Sequence, residues 1–168
     1  MKRTILICLF FLITSCSSND KYESINDQNI YNNNTLKDFE LFNKAQEYIS
    51  EKQFELALTQ LDKIQVLFPS SVYASKSMLL DAYVNFLTKD YEKTRAIAEN
   101  YKKYYPGSDD LVYANYLEAM TYYVSIKKSD YSQKNAEIAL EKFNFILNAY
   151  PNNKYEIDII TKIELINN

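Results

Sequence analysis

Residues 41–71 read LFNKAQEYISEKQFELALTQLDKIQVLFPSS and contain two apolar stripes. Leu41, Ala45, Tyr48 and Ile49 follow the i, i+4, i+7, i+8 spacing of one helix face. After a short polar break, Phe54, Ala57, Leu58, Leu61, Ile64 and the pair Leu67-Phe68 do the same. Pro69 then stops the second stripe, because proline lacks an amide donor and its ring clashes with the preceding turn. The stretch predicts two helices, A and B, joined by a tight turn and closed by a proline.

The pattern returns along the chain. Ala45 with Tyr48 reappears 37 residues on as Ala82 with Asn85, and again as Ala119 with Tyr122; Phe54 and Tyr91 are also 37 apart. Phe68-Pro69, Tyr105-Pro106 and Tyr150-Pro151 close three segments, and a small residue (Ala57, Thr94, Ala139) sits twelve positions before each proline. Such a period marks an array of like units. Small residues belong where helices A and B cross closely, with larger apolar side chains filling the space beside them. Thr35 followed by Asp38 has the spacing of a capping box and opens the first helix.

The spacing and residue types resemble the tetratricopeptide repeat. That resemblance implies an all-α solenoid of helix pairs, about three repeats plus a terminal helix, spanning 38–71, 75–108, 112–153 and the start of a fourth at 154–168. The departure from that repeat is length, 37 against 34 residues, with the extra residues assigned to turns such as Pro69-Ser70-Ser71 and Pro106-Gly107-Ser108. In the third repeat Ala119 and Ala139 are twenty apart, against twelve in the first two. The eight extra residues fall within Ser125–Lys134, as a lengthened helix A or a surface protrusion. Beyond Pro151, Tyr155, Ile159, Ile160, Ile163 and Ile166 form one more amphipathic stripe.

The N-terminus reads as an address. Lys2 and Arg3 precede an uncharged apolar run from Ile5 to Ile13, too short to span roughly 30 Å of hydrocarbon, as in a secretory signal peptide over residues 1–15. Ile13-Thr14-Ser15-Cys16 resembles the bacterial lipobox, which implies cleavage before Cys16 and lipidation of its sulfur and amine. Several acyl chains anchor stably, since each buried CH₂ contributes about 0.8 kcal/mol. Cys8 leaves with the signal, so no disulfide framework is expected. Ser17 rather than aspartate after the cysteine resembles the outer-membrane-directed lipoproteins of Gram-negative bacteria. Residues 16–37, polar and aperiodic, read as the lipidated cysteine and a flexible tether.

Composition excludes much chemistry. The 168 residues hold no His and one Gly, Gly107, so imidazole catalysis, imidazole metal sites and glycine-rich phosphate loops have no material. With 19 Lys+Arg against 22 Asp+Glu there is no basic footprint for nucleic acid. Asp109-Asp110 is the nearest pair of carboxylates, and its place after Pro106-Gly107-Ser108 marks it as a helix-start feature. No catalytic residue, metal or cofactor is expected.

Local sequences carry a narrower resemblance. Leu41 to Ala45, Val66 to Ser71, Asp90 to Lys93, Tyr104 to Ser108, Tyr113 to Leu117, Tyr122-Tyr123 and Ala139 to Phe143, with the lengthened third repeat, resemble the BamD family of outer-membrane assembly lipoproteins from about residue 38 onward. The family usually carries five repeats, whereas this chain ends one helix into a fourth. Of an Arg-Asp-Gln sequence usual in its third-repeat loop only Gln133 matches, so a role for that arginine and aspartate does not transfer. The resemblance implies a lipid-anchored scaffold on the periplasmic face of the outer membrane. Its implied partners are the barrel-forming assembly protein, other assembly lipoproteins and unfolded barrel precursors. The alternative is another periplasmic repeat lipoprotein, an adaptor for cell-wall or pilus machinery.

Repeat register places Phe39, Phe42 and Ile49, then Leu79, Tyr83 and Phe86, then Tyr113, Tyr116, Met120 and Tyr123 on the helix A face. These form a candidate peptide-binding groove, because tyrosine offers a large contact area at low entropic cost. An aromatic stripe at helical spacing also serves as packing between repeats, and both readings stay open at this point.

Overall fold

The computed structural model describes residues 37–126 and 132–168. Among them are seven helices: α1 (Asp38–Ser50), α2 (Phe54–Leu67), α3 (Val72–Leu87), α4 (Tyr91–Tyr104), α5 (Leu111–Ser125), α6 (Ser132–Ala149) and α7 (Glu156–Asn167). They form three A/B pairs, α1–α2, α3–α4 and α5–α6, followed by α7 as a further A helix. The signal run, Cys16, Thr35 and the residues through 36 lie outside the described residues.

The small positions are where the pairs meet. Ala45, Ala82 and Ala119 on the A helices, and Ala57, Thr94 and Ala139 on the B helices, are all fully buried. Thr94 substitutes for alanine because its hydroxyl donates to the Asp90 carbonyl at 2.8 Å and so adds no unpaired polar atom. On each B helix the small residue starts a buried triplet: Ala57, Leu61, Ile64; Thr94, Ala98, Tyr101; Ala139, Phe143, Ile146. The polar tip of Tyr101 is met by Ser108 Oγ at 2.7 Å.

Three hydrophobic clusters follow, each drawing on three consecutive helices. Ala45 (α1), Leu61 (α2) and Val84 (α3) form the first. Leu79 (α3), Ala98 and Tyr101 (α4) and Ala114 (α5) form the second. Ala119 (α5), Ala139, Phe143 and Ile146 (α6) and Ile159 (α7) form the third. A pair alone leaves its core open, and the next A helix closes it. Neighbouring A helices pack on one another directly, α1 on α3 and α3 on α5.

The proline turns share a local device. Three residues after each closing aromatic stands Ser71, Ser108 or Asn153. Its side-chain oxygen accepts from the N–H two residues on: Tyr73 at 3.0 Å, Asp110 at 3.1 Å and Tyr155 at 2.8 Å. This settles two capping expectations differently. Asp110 is the N-cap of α5 but makes no side-chain cap bond; Ser108 does the work instead. The N-cap of α1 is Lys37, also without a side-chain bond, and Asp38 accepts a hydrogen bond from Ser71 Oγ. Asp38 thus ties the start of the first repeat to its end.

The extra residues of the third repeat do not make a long helix A, and half of them belong to α6. Relative to the earlier pairs, one extra residue extends the end of α5, three lengthen the connection and four extend the start of α6. Gln133 Nε2 donates to Glu137 Oε1 at 3.2 Å along the added turn, and Asn135 Nδ2 reaches the Ser125 carbonyl at 3.4 Å. Residues 127–131 lie outside the described set.

The tight A-to-B turns do without glycine. The A-to-B turns after α1 and α3 end in Schellman motifs: Gln53 N–H donates to Tyr48 O at 2.8 Å and Lys52 N–H to Ile49 O at 3.0 Å, with Asp90 to Asn85 and Lys89 to Phe86 repeating the geometry. The left-handed residue is lysine in both, with φ of 60° at Lys52 and 67° at Lys89. Gly107 has no positive φ, and an added Cβ there would meet nothing within 4 Å. Lys89→Gly is therefore expected to stabilise the chain by about 1 kcal/mol, raising Tm by roughly 3–5 °C. Gly107→Ala is expected to stabilise by about 0.5 kcal/mol through the unfolded chain. Thermal melts followed by circular dichroism check both; a lower Tm in Lys89→Gly would refute the strain at that turn.

Candidate functional site: the helix A face

Of the ten groove candidates, Leu79 is buried, Phe39 is exposed and the other eight are half-buried. Position 42 of the first repeat and its equivalents are packing residues. Phe42 lies 5.3 Å from the ring of Tyr73 at the start of α3. Leu79, its counterpart, is only 5% exposed within the second cluster. Tyr116 stacks on Tyr155, the N-cap of α7, at 4.3 Å and 11°. These three side chains fill the seam between one A helix and the next, so the reading of Leu79 as a groove-lining residue is corrected. A buried leucine offers nothing to a ligand. Ile49 and Met120 border the first and third clusters, and Tyr123 sits edge-on to Phe143 at 6.1 Å.

Phe39 keeps surface, while Tyr83, Phe86 and Tyr113 are half-buried, as Phe42 and Tyr116 are. Phe39 is 39% exposed, with the Lys37 ammonium 5.6 Å from its ring. Phe86 is half-buried and tilts against Tyr91 at 5.7 Å. Tyr113 stacks on Tyr155 at 5.7 Å. Burial, then the neighbouring hydroxyls of Tyr155 and Tyr83, push the Tyr113 hydroxyl well above its ordinary pKa, so it stays a neutral donor.

Lysines lie over several of these rings: Lys76 over Tyr73 at 5.5 Å, Lys154 over Tyr155 at 5.1 Å and Tyr113 at 5.9 Å, and Lys162 over Tyr123 at 5.4 Å. Tyr116 donates to Asp158 at 2.6 Å, and Lys162 pairs with the same carboxylate at 2.5 Å. Sequence reasoning left Tyr73 unnamed and placed Tyr155 only in the stripe of the last helix, not on this face. Both stand four residues after a closing proline, a signal present in Pro69 and Pro151 but absent after Pro106, where the position is Asp110. The face is an aromatic surface with ammonium and hydroxyl edges, suited to binding by shape and stacking. Asp109 is exposed, and among the described residues no group of three or more His, Cys, Asp or Glu is placed to hold a metal.

Away from this face, Glu118 of α5 accepts from Lys102 of α4 and Lys142 of α6, both at 2.6 Å. Burial alone would raise its carboxyl, but the two lysine hydrogen bonds and charges outweigh burial and hold it below the ordinary value. Arg95 adds a contact to Thr121 at 3.3 Å and lies over Tyr122 at 5.0 Å.

A family model described as outer membrane lipoprotein, YfiO, matches residues 34–168 and so takes in every helix. The chain belongs to the YfiO family. Its curated relatives include outer membrane protein assembly factor BamD of Rickettsia prowazekii, 29% identical over 76% of this chain and 51% of the relative. BamD of Pasteurella multocida is 25% identical over 97% of this chain and 62% of the relative, and BamD of Caulobacter vibrioides 24% over 76% and 42%. The chain thus spans about half the length of the curated relatives it matches. The YfiO assignment agrees with the all-α repeat fold described above. No helix among the described residues is long and apolar enough to cross a membrane.

The Glu118 network generates a pH prediction. Because the folded-state pKa is depressed, the network stabilises the fold above the unfolded carboxylate value near 4.5 and loses that contribution as pH falls through the folded value. Glu118→Gln is expected to lower stability by about 2 kcal/mol at pH 7. The gap to wild type should close below the ordinary carboxylate range. Urea midpoints between pH 7 and pH 3 test this; a gap independent of pH would refute it.

Proposed function

We propose that this chain is a lipid-anchored periplasmic scaffold that helps fold and insert β-barrel proteins into the outer membrane. The observation that carries this reading is the match of the outer membrane lipoprotein family across the whole described fold, with relatives named outer membrane protein assembly factor. In this reading Cys16 carries the lipid, residues 1–15 are removed, and the chain acts beside the barrel-forming assembly protein and other assembly lipoproteins. Unfolded barrel precursors are taken as the ligand of the helix A face. Phe39, Tyr83, Phe86 and Tyr113 supply aromatic area, and Lys76, Lys154 and Lys162 supply charge near it. Binding there needs no bond making, so the role is non-enzymatic.

Three measurements test the proposal. Cys16→Ser is expected to move the chain from the membrane to the soluble periplasmic fraction on cell fractionation. Detergent-solubilised envelopes are expected to yield the barrel-forming assembly protein with the tagged chain. The double substitution Phe39→Ala with Tyr83→Ala is expected to weaken cross-linking to a nascent barrel precursor about tenfold or more, the effect of losing roughly 1.4 kcal/mol or more. Recovery of a peptidoglycan enzyme or pilin-export protein instead of the barrel protein would overturn the assignment.

A further inference from the structure

The two ends of the helix pairs differ in what they expose. Every B helix ends, and every A helix after α1 begins, at a proline turn, so these turns line one edge of the array. There Val66 and Leu67 at the end of α2, Val72 at the start of α3 and Tyr104 at the end of α4 are 67%, 54%, 70% and 70% exposed. The first two proline turns meet in space, because Pro69 and Tyr104 line one cleft of about 180 Å³ together with Gln65, the neighbour of Val66. The opposite edge carries the A-to-B turns and is polar. Ser50, Glu51, Lys52 and Gln53 are all exposed there, as are Thr88, Lys89 and Asp90. The large apolar side chains nearest to them, Leu56 and Leu87, are each less than half exposed. An apolar patch left open on one edge marks a contact with a protein or a membrane.

The point where the chain enters the fold favours the membrane. α1 begins at this same edge, since Asp38 accepts a hydrogen bond from Ser71 Oγ of the first proline turn. The sequence from Cys16 to Lys37 therefore leads to the edge that exposes the apolar side chains. On the reading that Cys16 carries the lipid and the next 21 residues are a tether, on which this inference rests, that edge is held near a lipid surface. A flexible tether of that length has an r.m.s. span of roughly 25 Å. Short tethers raise the effective concentration of what they hold to about the millimolar range, so a weak interfacial affinity suffices for contact. The composition suits the headgroup layer rather than hydrocarbon. Tyr104 joins an apolar ring to a polar tip. Glu40, Lys103 and Asp109, all exposed, stand at the same edge, and a lysine stem lies on apolar surface while its ammonium reaches anionic headgroups.

We propose that the proline-turn edge of the first two repeats lies on the headgroup layer of the membrane that holds the lipid, with Val66, Leu67, Val72 and Tyr104 in contact with it. The test uses the full lipidated chain with a fluorophore on one introduced cysteine, in vesicles of phosphatidylethanolamine and phosphatidylglycerol that include a nitroxide-headgroup lipid. Labels placed through Leu67→Cys and Tyr104→Cys are expected to be quenched at least about twofold more than labels placed through Glu51→Cys and Lys89→Cys. Val66→Glu with Val72→Glu should bring the label at position 104 down to the level of the label at position 51. Circular dichroism confirms that each variant retains its helices, and vesicle flotation reads the anchor separately. A chain that floats with the vesicles but is quenched equally at all four positions would overturn the edge contact and leave the lipid anchor standing. A chain that does not float would overturn the anchor and this inference with it. Quenching at position 104 that ignores the two glutamates would also overturn the contact. Shielding of positions 67 and 104 from an aqueous quencher in native envelopes, without quenching in vesicles, would assign the edge to a protein partner and overturn it equally.

Discussion

The close crossing of helix A on helix B, made possible by six small side chains, is the constraint on which the rest of this fold depends. With Ala45, Ala82 and Ala119 against Ala57, Thr94 and Ala139, all without exposure, larger residues one or two turns away reach across the pair. Leu61, Tyr101 and Phe143 then bury completely. A longer side chain at any of the six would force off-rotamer packing, typically at about 1–3 kcal/mol. The crossing also fixes which face of each A helix points away from its B helix, and so which aromatics meet the next repeat or remain exposed.

Most of the fold was legible because its determinants are local. Helix pairs, the stop at each Phe/Tyr-Pro and the small crossing positions follow from a period and from the sterics of proline, both visible within one repeat. The groove was legible only in part. Phe42, Leu79 and Tyr116 share a stripe with Tyr83 and Phe86, and spacing alone does not tell a seam residue from a surface residue. That depends on how far each A helix turns toward its successor, which Tyr73 and Tyr155 help set by meeting Phe42 and Tyr116. The added turn of α6 was hidden for another reason: its polar residues read as loop, and its support at Ser125 comes from across the connection. The Glu118 network joins residues 16 and 24 positions away in sequence, beyond any local pattern.

The A helix side and the proline-turn side differ in chemistry. The A helix side is rich in tyrosines held by neighbouring rings and by lysines above them. On the proline-turn side, the Lys102 and Lys142 ammonium groups are anchored on the recessed Glu118 carboxylate, with Glu141 beside them.

The sharing of each core by three consecutive helices has a consequence for how the array comes apart. Since Val84 closes the first cluster, Ala114 the second and Ile159 the third, no pair is finished until its successor arrives. Stability in such an array is a sum over neighbours. Order therefore spreads along it like a closing zip, and losing one clasp loosens the adjoining teeth before the distant ones. α7, whose single buried residue is Ile159, is the clasp for α5 and α6. Whatever steadies or displaces α7 sets how firmly Tyr113, Tyr116 and the Glu118 network are held, a lever on binding that acts through rigidity rather than contact.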